Sequence, residues 1–64
     1  MKIEVLISGE AAEHIADIII GVETYSERRG RISFICTELL FNKIYYRLKE
    51  KGINPYAVMA WNEI

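Results

Sequence analysis

Three arginines in one short stretch are the residues best suited to binding an anion. Arg28, Arg29 and Arg31 surround Gly30, and Tyr25 places an aromatic ring just before them. A guanidinium group donates two parallel hydrogen bonds to a phosphate or a carboxylate. The simplest interpretation is a solvated turn, and the functional alternatives are an acidic protein partner or an anionic ligand such as a nucleotide. We therefore take these four residues as the candidate ligand-binding set.

Residues able to support catalysis or hold a metal are few. Cys36 and His14 are the single cysteine and the single histidine of the chain. A nucleophile needs a base within reach, but the neighbours of Cys36 indicate a core position and those of His14 a solvated one. One cysteine and one histidine do not supply the usual four ligands of structural zinc, and the sequence has no glycine-rich phosphate loop. We predict no enzymatic activity, no metal and no cofactor.

Apolar and aromatic side chains in excess of the predicted core form a second candidate site. Protein interfaces are rich in tyrosine, tryptophan and large apolar residues. The residues predicted to lie at such an interface are Leu6, Ile20, Ile35, Leu39, Tyr46 and Trp61.

Alternation of apolar and polar residues predicts the strands that carry these sites. Residues 2–8 alternate, and so do residues 31–37, where Ile32, Phe34 and Cys36 share one face. Such a period of two is typical of a half-buried strand. A last strand is predicted over residues 56–61, because Asn54 and Pro55 favour an extended entry.

Capping residues and apolar spacing predict two helices. Ser8 or Gly9 begins the first one, which is acidic in its first turn and apolar at positions 11, 15, 18, 19 and 22. Thr37 is the predicted N-cap of the second helix, over residues 38–51, and Gly52 ends it.

The segment 17–31 admits two interpretations. In the first, the helix that begins at residue 9 continues to Arg29, and Gly30 terminates it. In the second, which we favour, the helix stops near Ile20, Gly21 terminates it, and residues 22–37 form a β-hairpin that turns over residues 27–30. The long helix is disfavoured because residues 21–26 are a poor helix-forming run.

The predicted order of elements is β-α-β-β-α-β, a ferredoxin-like α+β plan with helices on one face of an antiparallel sheet. The alternative is β-α-β-α-β, with a long first helix and a three-stranded sheet. Residues 1–64 form a single domain on either plan.

Length and composition predict an associating protein. A chain of 64 residues is marginal alone, its single cysteine forms no internal disulfide, and 52% of its residues are hydrophobic. These features favour a homo-oligomer or a stable complex.

Charge disfavours nucleic acid as a partner. The formal net charge is −1, but residues 1–27 carry one basic and six acidic side chains, and residues 28–51 carry seven basic and two acidic ones. Such a split can steer two copies together or attract an anionic partner, although it can also neutralise itself within one fold.

The absence of an apolar run of about 20 residues argues against a membrane span, and a lone cysteine suits a reducing compartment, so we expect a cytoplasmic protein. The expected function is that of a small, self-associating regulatory or inhibitory protein that acts by binding an unknown protein partner. The alternative is an oligomeric sponge for an anionic small ligand, such as a nucleotide second messenger. A free-standing domain of this size resembles the accessory proteins of phages and mobile elements, for which counter-defence is one use.

Overall fold

The computed structural model describes all residues from 1 to 64 and contains four strands and three helices. In chain order these are β1 (Lys2–Ser8), α1 (Gly9–Ala12), β2 (Glu23–Arg28), β3 (Arg31–Thr37), α2 (Glu38–Glu50), α3 (Pro55–Val58) and β4 (Met59–Glu63). None of these helices combines the length and the apolar character that crossing a membrane requires.

The strands form one antiparallel sheet in the order β2-β3-β1-β4. β1 lies in the middle and pairs with β3 on one side and β4 on the other, while β2 pairs with β3 at the edge. The α+β class predicted from the sequence is therefore confirmed. The alternative with a long first helix and three strands is wrong, because residues 23–28 form β2.

The core lies on one side of this sheet, between the strands and the helices. Its members alternate along the strands as the sequence predicted, and they meet one apolar side of the helical layer. The buried apolar residues are Ile3, Val5, Ile7, Ala11, Ala12, Ile15, Ile32, Phe34, Cys36, Phe41, Ile44, Leu48 and Met59.

The predicted second helix is confirmed together with its caps. The Thr37 hydroxyl accepts a hydrogen bond from the Leu40 N–H at 3.1 Å. Glu38 lies in the first turn, where the helix dipole favours a negative charge. The side of α2 that packs on the sheet buries three apolar residues, Phe41, Ile44 and Leu48.

The predicted first helix is far shorter than expected, since α1 ends at Ala12 instead of near Ile20. The chain continues in turns, in which the Ile18 N–H donates to the Ile15 carbonyl, three residues back, at 3.0 Å. A regular helix would have Ile18 donate to the carbonyl of His14. That carbonyl instead accepts from Arg47 Nη1 at 3.3 Å, so a side chain of α2 takes over part of the helical hydrogen bonding.

An ion pair holds the same segment against α2. Arg47 Nη1 also donates to the two carboxylate oxygens of Asp17, at 2.9 and 3.1 Å. This hydrogen bond holds the pKa of Asp17 below its ordinary value of 3.8. This irregular segment, residues 13–22, is therefore positioned by Arg47 outside the core and by Ile15 inside it.

The hairpin interpretation of residues 22–37 is confirmed, although its turn is tighter than predicted. Arg28 pairs with Arg31, so only Arg29 and Gly30 lie between the strands. Both have positive φ, 53° and 74°, as a type I′ turn requires. The Gly30 carbonyl accepts from the Gly9 N–H at 2.7 Å, which joins the tip of the hairpin to the beginning of α1.

The predicted last strand begins three residues later than expected. Asn54 caps α3 by accepting from the Tyr56 N–H at 3.1 Å, and Pro55 occupies the first turn. Proline at that position is compatible with a helix because the N–H it lacks has no partner there. Residues 56–58 therefore belong to α3, and β4 runs from Met59 to Glu63.

Candidate functional site

The side of the sheet opposite the helices, which we call the open face, carries the predicted arginine site. Directly paired residues of antiparallel strands point to the same side. The pairing register therefore places three rows of side chains across the open face. The first row contains Arg28, Arg31 and Ser8. The middle row contains Ser26, Ser33, Leu6 and Ala60, and the third row contains Glu23, Ile35, Glu4 and Asn62. None of these residues is buried.

The three arginines lie together around one open groove at the hairpin end of this face. The groove has a volume of about 660 Å³, and its lining is completed by two serines and one leucine: Arg28, Arg29, Arg31, Ser26, Ser33 and Leu6. The type I′ turn makes this arrangement, because it brings Arg28 directly opposite Arg31 on neighbouring strands.

No carboxylate neutralises the arginine groove. The two ion pairs of the molecule join Lys2 to Glu23 and Arg47 to Asp17, and neither includes a residue of the groove. Its three guanidinium groups are therefore free to bind an anionic group, with the serine hydroxyls as further donors.

Tyr25 does not join the arginines in lining the groove. It lies where the pairing of β2 with β3 shifts register between Glu23 and Ser26, next to Thr24, whose φ is +49°. The structure thus gathers three of the four residues predicted for ligand binding and leaves the fourth as an exposed ring on the edge strand.

The six predicted interface residues do not form one patch. Leu6 and Ile35 lie on the open face, as expected from strand alternation. Ile20 is 83% exposed in the irregular segment before β2. Leu39 and Tyr46 lie on the outer side of α2, where they line a shared groove with Ile18 and Lys43. The last of the six, Trp61, lies on the helix side, since its partner in β1 points into the core.

Trp61 belongs to a group of five rings, which we call the aromatic cluster. Its ring centroid lies 5.0 Å from that of Phe41 and 5.2 Å from that of Tyr56. Tyr45 stands edge-on to Tyr46 and to Tyr56, at 5.3 and 6.1 Å. The five members are Phe41, Tyr45, Tyr46, Tyr56 and Trp61.

The aromatic cluster is partly open to solvent and partly polar. Tyr46 and Tyr56 are 60% and 70% exposed. The Lys49 ammonium lies 5.6 Å from the centre of the Tyr45 ring, within cation–π range. A side-chain hydrogen bond with Tyr56, followed by desolvation, raises the pKa of the Tyr45 phenol. The cluster therefore offers apolar area and polar tips together.

Sequence reasoning missed this cluster as a unit. Four of the rings come from α2 and β4, and Tyr56 comes from the helix α3 that was not predicted. The Asn54-Pro55 pair is a common signal for a helix beginning, and it would have separated Tyr56 from the strand.

Side chains able to do covalent chemistry are not brought together. Cys36 is buried on the core side of β3, and burial raises the pKa of its thiol. His14 is exposed in the irregular segment. No three residues of the histidine, cysteine, aspartate and glutamate types lie close enough together to hold a metal ion.

The geometry thus offers two non-covalent functions, anion binding at the arginine groove and protein binding at the aromatic cluster. The hydroxyls of Ser8 and Thr37 accept hydrogen bonds from the backbone N–H groups of Ala11 and Leu40 and so act as helix caps. Comparison with protein-family models, with curated proteins and with solved structures finds no significant match to this chain.

Proposed function

We propose that the protein is a small, non-enzymatic regulatory or inhibitory protein that self-associates and acts by binding a partner protein. The observation that carries this proposal is the aromatic cluster. Tyrosine and tryptophan contribute much of the binding energy at protein interfaces, because their rings bury a large area and keep a polar tip. We place the activity in the cytoplasm, where the single thiol stays reduced.

The partner surface that fits the cluster is apolar with an acidic rim. Tyr46 and Tyr56 present rings that a partner can cover, and Lys49 supplies a positive charge beside them. Arg47 is engaged by Asp17 and is not free for this purpose.

Capture from a lysate of the native host, followed by reconstitution with the purified partner, tests the proposal. Tyr46→Ser and Tyr56→Ser should each weaken binding about tenfold or more. Tyr25→Ser makes the same chemical change at an exposed tyrosine of β2, outside the cluster, and is the matched control; it should change affinity by less than about threefold. A partner that binds the two tyrosine variants as tightly as the native protein would refute a role for the cluster.

The second candidate function is the sequestering of an anionic small ligand, such as a nucleotide second messenger. The unneutralised arginine groove favours it. Thermal denaturation with phosphate, nucleotides and cyclic nucleotides should show a salt-sensitive rise that disappears in Arg28→Gln and Arg31→Gln. A rise that persists in both variants, or none with any anion, would exclude the groove as the ligand site.

We also propose that the fold is a reduced form of the ferredoxin-like plan. The order of the strands along the chain, their order in the sheet and the position of the helices on one side support this assignment. The first helix is reduced to one turn and α3 is added before the last strand. An experimental structure with another strand order would contradict the assignment.

A further inference from the structure

The open face has a positive end and a negative end, separated by a weakly polar middle row. Arg28 and Arg31 lie in the first row, at the hairpin turn, and Glu4 and Glu23 lie in the third row. Lys2, two residues before Glu4 on the same side of β1, forms an ion pair with Glu23 at 2.8 Å, so Glu4 is the carboxylate of this end that no cation neutralises. The middle row contains Leu6, which is 39% exposed. Charge and apolar area are thus arranged along the strands and not at random.

The charges of the two ends do not satisfy each other within one chain. Arg31 pairs across the sheet with Ser8, and Glu4 pairs with Ile35. Arg31 and Glu4 are therefore four residues apart along the direction of β1. At the rise of a strand this is about 13 Å, and no ion pair joins the two. Glu4 receives only a long hydrogen bond from Asn62, at 3.4 Å.

We propose that two copies of this chain associate through their open faces, related by a two-fold axis that runs across the strands at the level of Leu6. The inference rests on the self-association in the proposed function and specifies its surface and register. The axis lies between the two sheets and is perpendicular to the strands. Each strand therefore lies over the same strand of the other copy and runs in the opposite direction. Each first row then faces the third row of the other copy, and the two middle rows face each other.

This arrangement gives Arg31 and Glu4 the ion-pair partners that they lack within one chain. Arg31 lies near Glu4 of the partner subunit, one strand away. Arg28 lies over Glu23 of the partner subunit, because both belong to β2, and there it adds a second positive charge to a carboxylate that Lys2 already binds. Leu6 meets Leu6 of the partner subunit at the axis, where it is shielded from water. Rotation about an axis along the strands would instead place arginines over arginines, which like-charge repulsion disfavours.

The size of the face predicts a weak dimer. Seven-residue strands span about 24 Å and four strands span about 19 Å, which gives a projected area of about 450 Å² per copy. Two such faces bury about 900 Å², which is below the about 1,200 Å² of stable specific complexes and in the range of weak, transient ones. We expect dissociation in the micromolar range, with weaker association in 0.5 M salt because the contacts are ionic.

A charge exchange between two separate chains tests the surface and the register. Glu4→Arg alone and Arg31→Glu alone each place like charges opposite each other twice per dimer, so each variant should dimerise about tenfold or more weakly in sedimentation equilibrium. An equimolar mixture of the two variants restores both ion pairs in a heterodimer, and its association should return to within about threefold of the native value.

Two control variants locate the surface. Lys43→Glu and Glu50→Arg make the same kinds of charge reversal on the outer side of α2, where Leu39 and Tyr46 offer a competing apolar groove. They should leave dimerisation unchanged, and circular dichroism should show that all four variants are folded.

Three results would overturn the inference. They are a native protein that stays monomeric up to 1 mM, weakening by the α2 variants instead of the open-face variants, and a mixture that fails to recover. Each leaves partner binding by the aromatic cluster measurable on the same samples, so the proposed partner binding can stand or fall separately.

Discussion

Ile15→Ala is the substitution that most directly tests how the irregular segment between α1 and β2 is held. The side chain of Ile15 is fully buried, although it lies in no regular helix or strand. Removing it deletes buried methyl groups and leaves a cavity, which costs about 2–5 kcal/mol for isoleucine to alanine. A domain of this size has a total unfolding free energy of about 3–10 kcal/mol, so the loss is a large fraction of it.

Ile20→Ala is the matched control, because it makes the same chemical change five residues later at an exposed position. Surface substitutions of this kind stay within about 0.5 kcal/mol. For Ile15→Ala a loss of about 3 kcal/mol corresponds to a fall of about 12–24 °C in the unfolding midpoint.

Urea unfolding followed by the fluorescence of Trp61, the only tryptophan, measures both variants. Trp61 is half-buried against Phe41, so unfolding changes its environment. Because the proposed association would add stability that depends on concentration, each variant is measured at two protein concentrations. Equal losses for the two isoleucines, or a larger loss for Ile20→Ala, would refute the placement of this segment.

Three further predictions concern single contacts. The lowered pKa of Asp17 means that its ion pair with Arg47 stabilises the fold fully above about pH 3.8. This contribution is lost as the pH falls through the lower pKa of the folded protein. The urea midpoint should show this acid-side loss in the native protein and not in Asp17→Asn. Burial raises the pKa of the Cys36 thiol, so a thiol reagent at pH 8 should react at least about tenfold faster in denaturant than with the folded protein, and equal rates would contradict the burial. Gly30→Ala should cost about 1–2 kcal/mol in the same unfolding assay because φ is positive there, and Gly30→Asn should cost less, since asparagine tolerates that conformation; equal costs would argue against the type I′ turn.

The parts of the fold that were predictable are those in which local signals and tertiary packing agree. β1 and β3 alternate cleanly because one face is buried and the other is open, and α2 has a cap at Thr37 and a glycine after its last turn. Each of these signals lies within the element itself, so periodicity was sufficient to find it.

The first helix was mispredicted because the group that competes with it is distant in sequence. Arg47, 33 residues away, donates to the His14 carbonyl and binds Asp17. A run of three β-branched isoleucines also lowers the helix propensity of this segment. Apolar spacing cannot reveal a hydrogen bond from another helix.

The grouping of the arginines was predictable from the sequence, whereas the position of Tyr25 and the aromatic cluster were not. Arg28, Arg29 and Arg31 are close in sequence, and a tight turn was sufficient to bring them together. Tyr25 was placed with them by proximity alone, whereas the register shift in β2 separates it from the groove. The aromatic cluster required the packing of α2, α3 and β4 and could not be read from any one segment.

The two proposed surfaces lie on opposite sides of the sheet, and this determines what association would contribute. Trp61 pairs with Val5, whose side chain is in the core, so the aromatic cluster faces away from the open face. A dimer joined by its open faces would therefore carry two aromatic clusters on its outer sides, both free to bind. A weak dimer then becomes a bivalent binder, and a partner that displays repeated copies of one epitope is held more tightly than a single copy without any new contact. A charge-reversed monomer should keep the affinity of the native protein for an isolated partner domain and lose affinity only for the multivalent form. That result would link the salt sensitivity of the proposed dimer to the strength of partner binding.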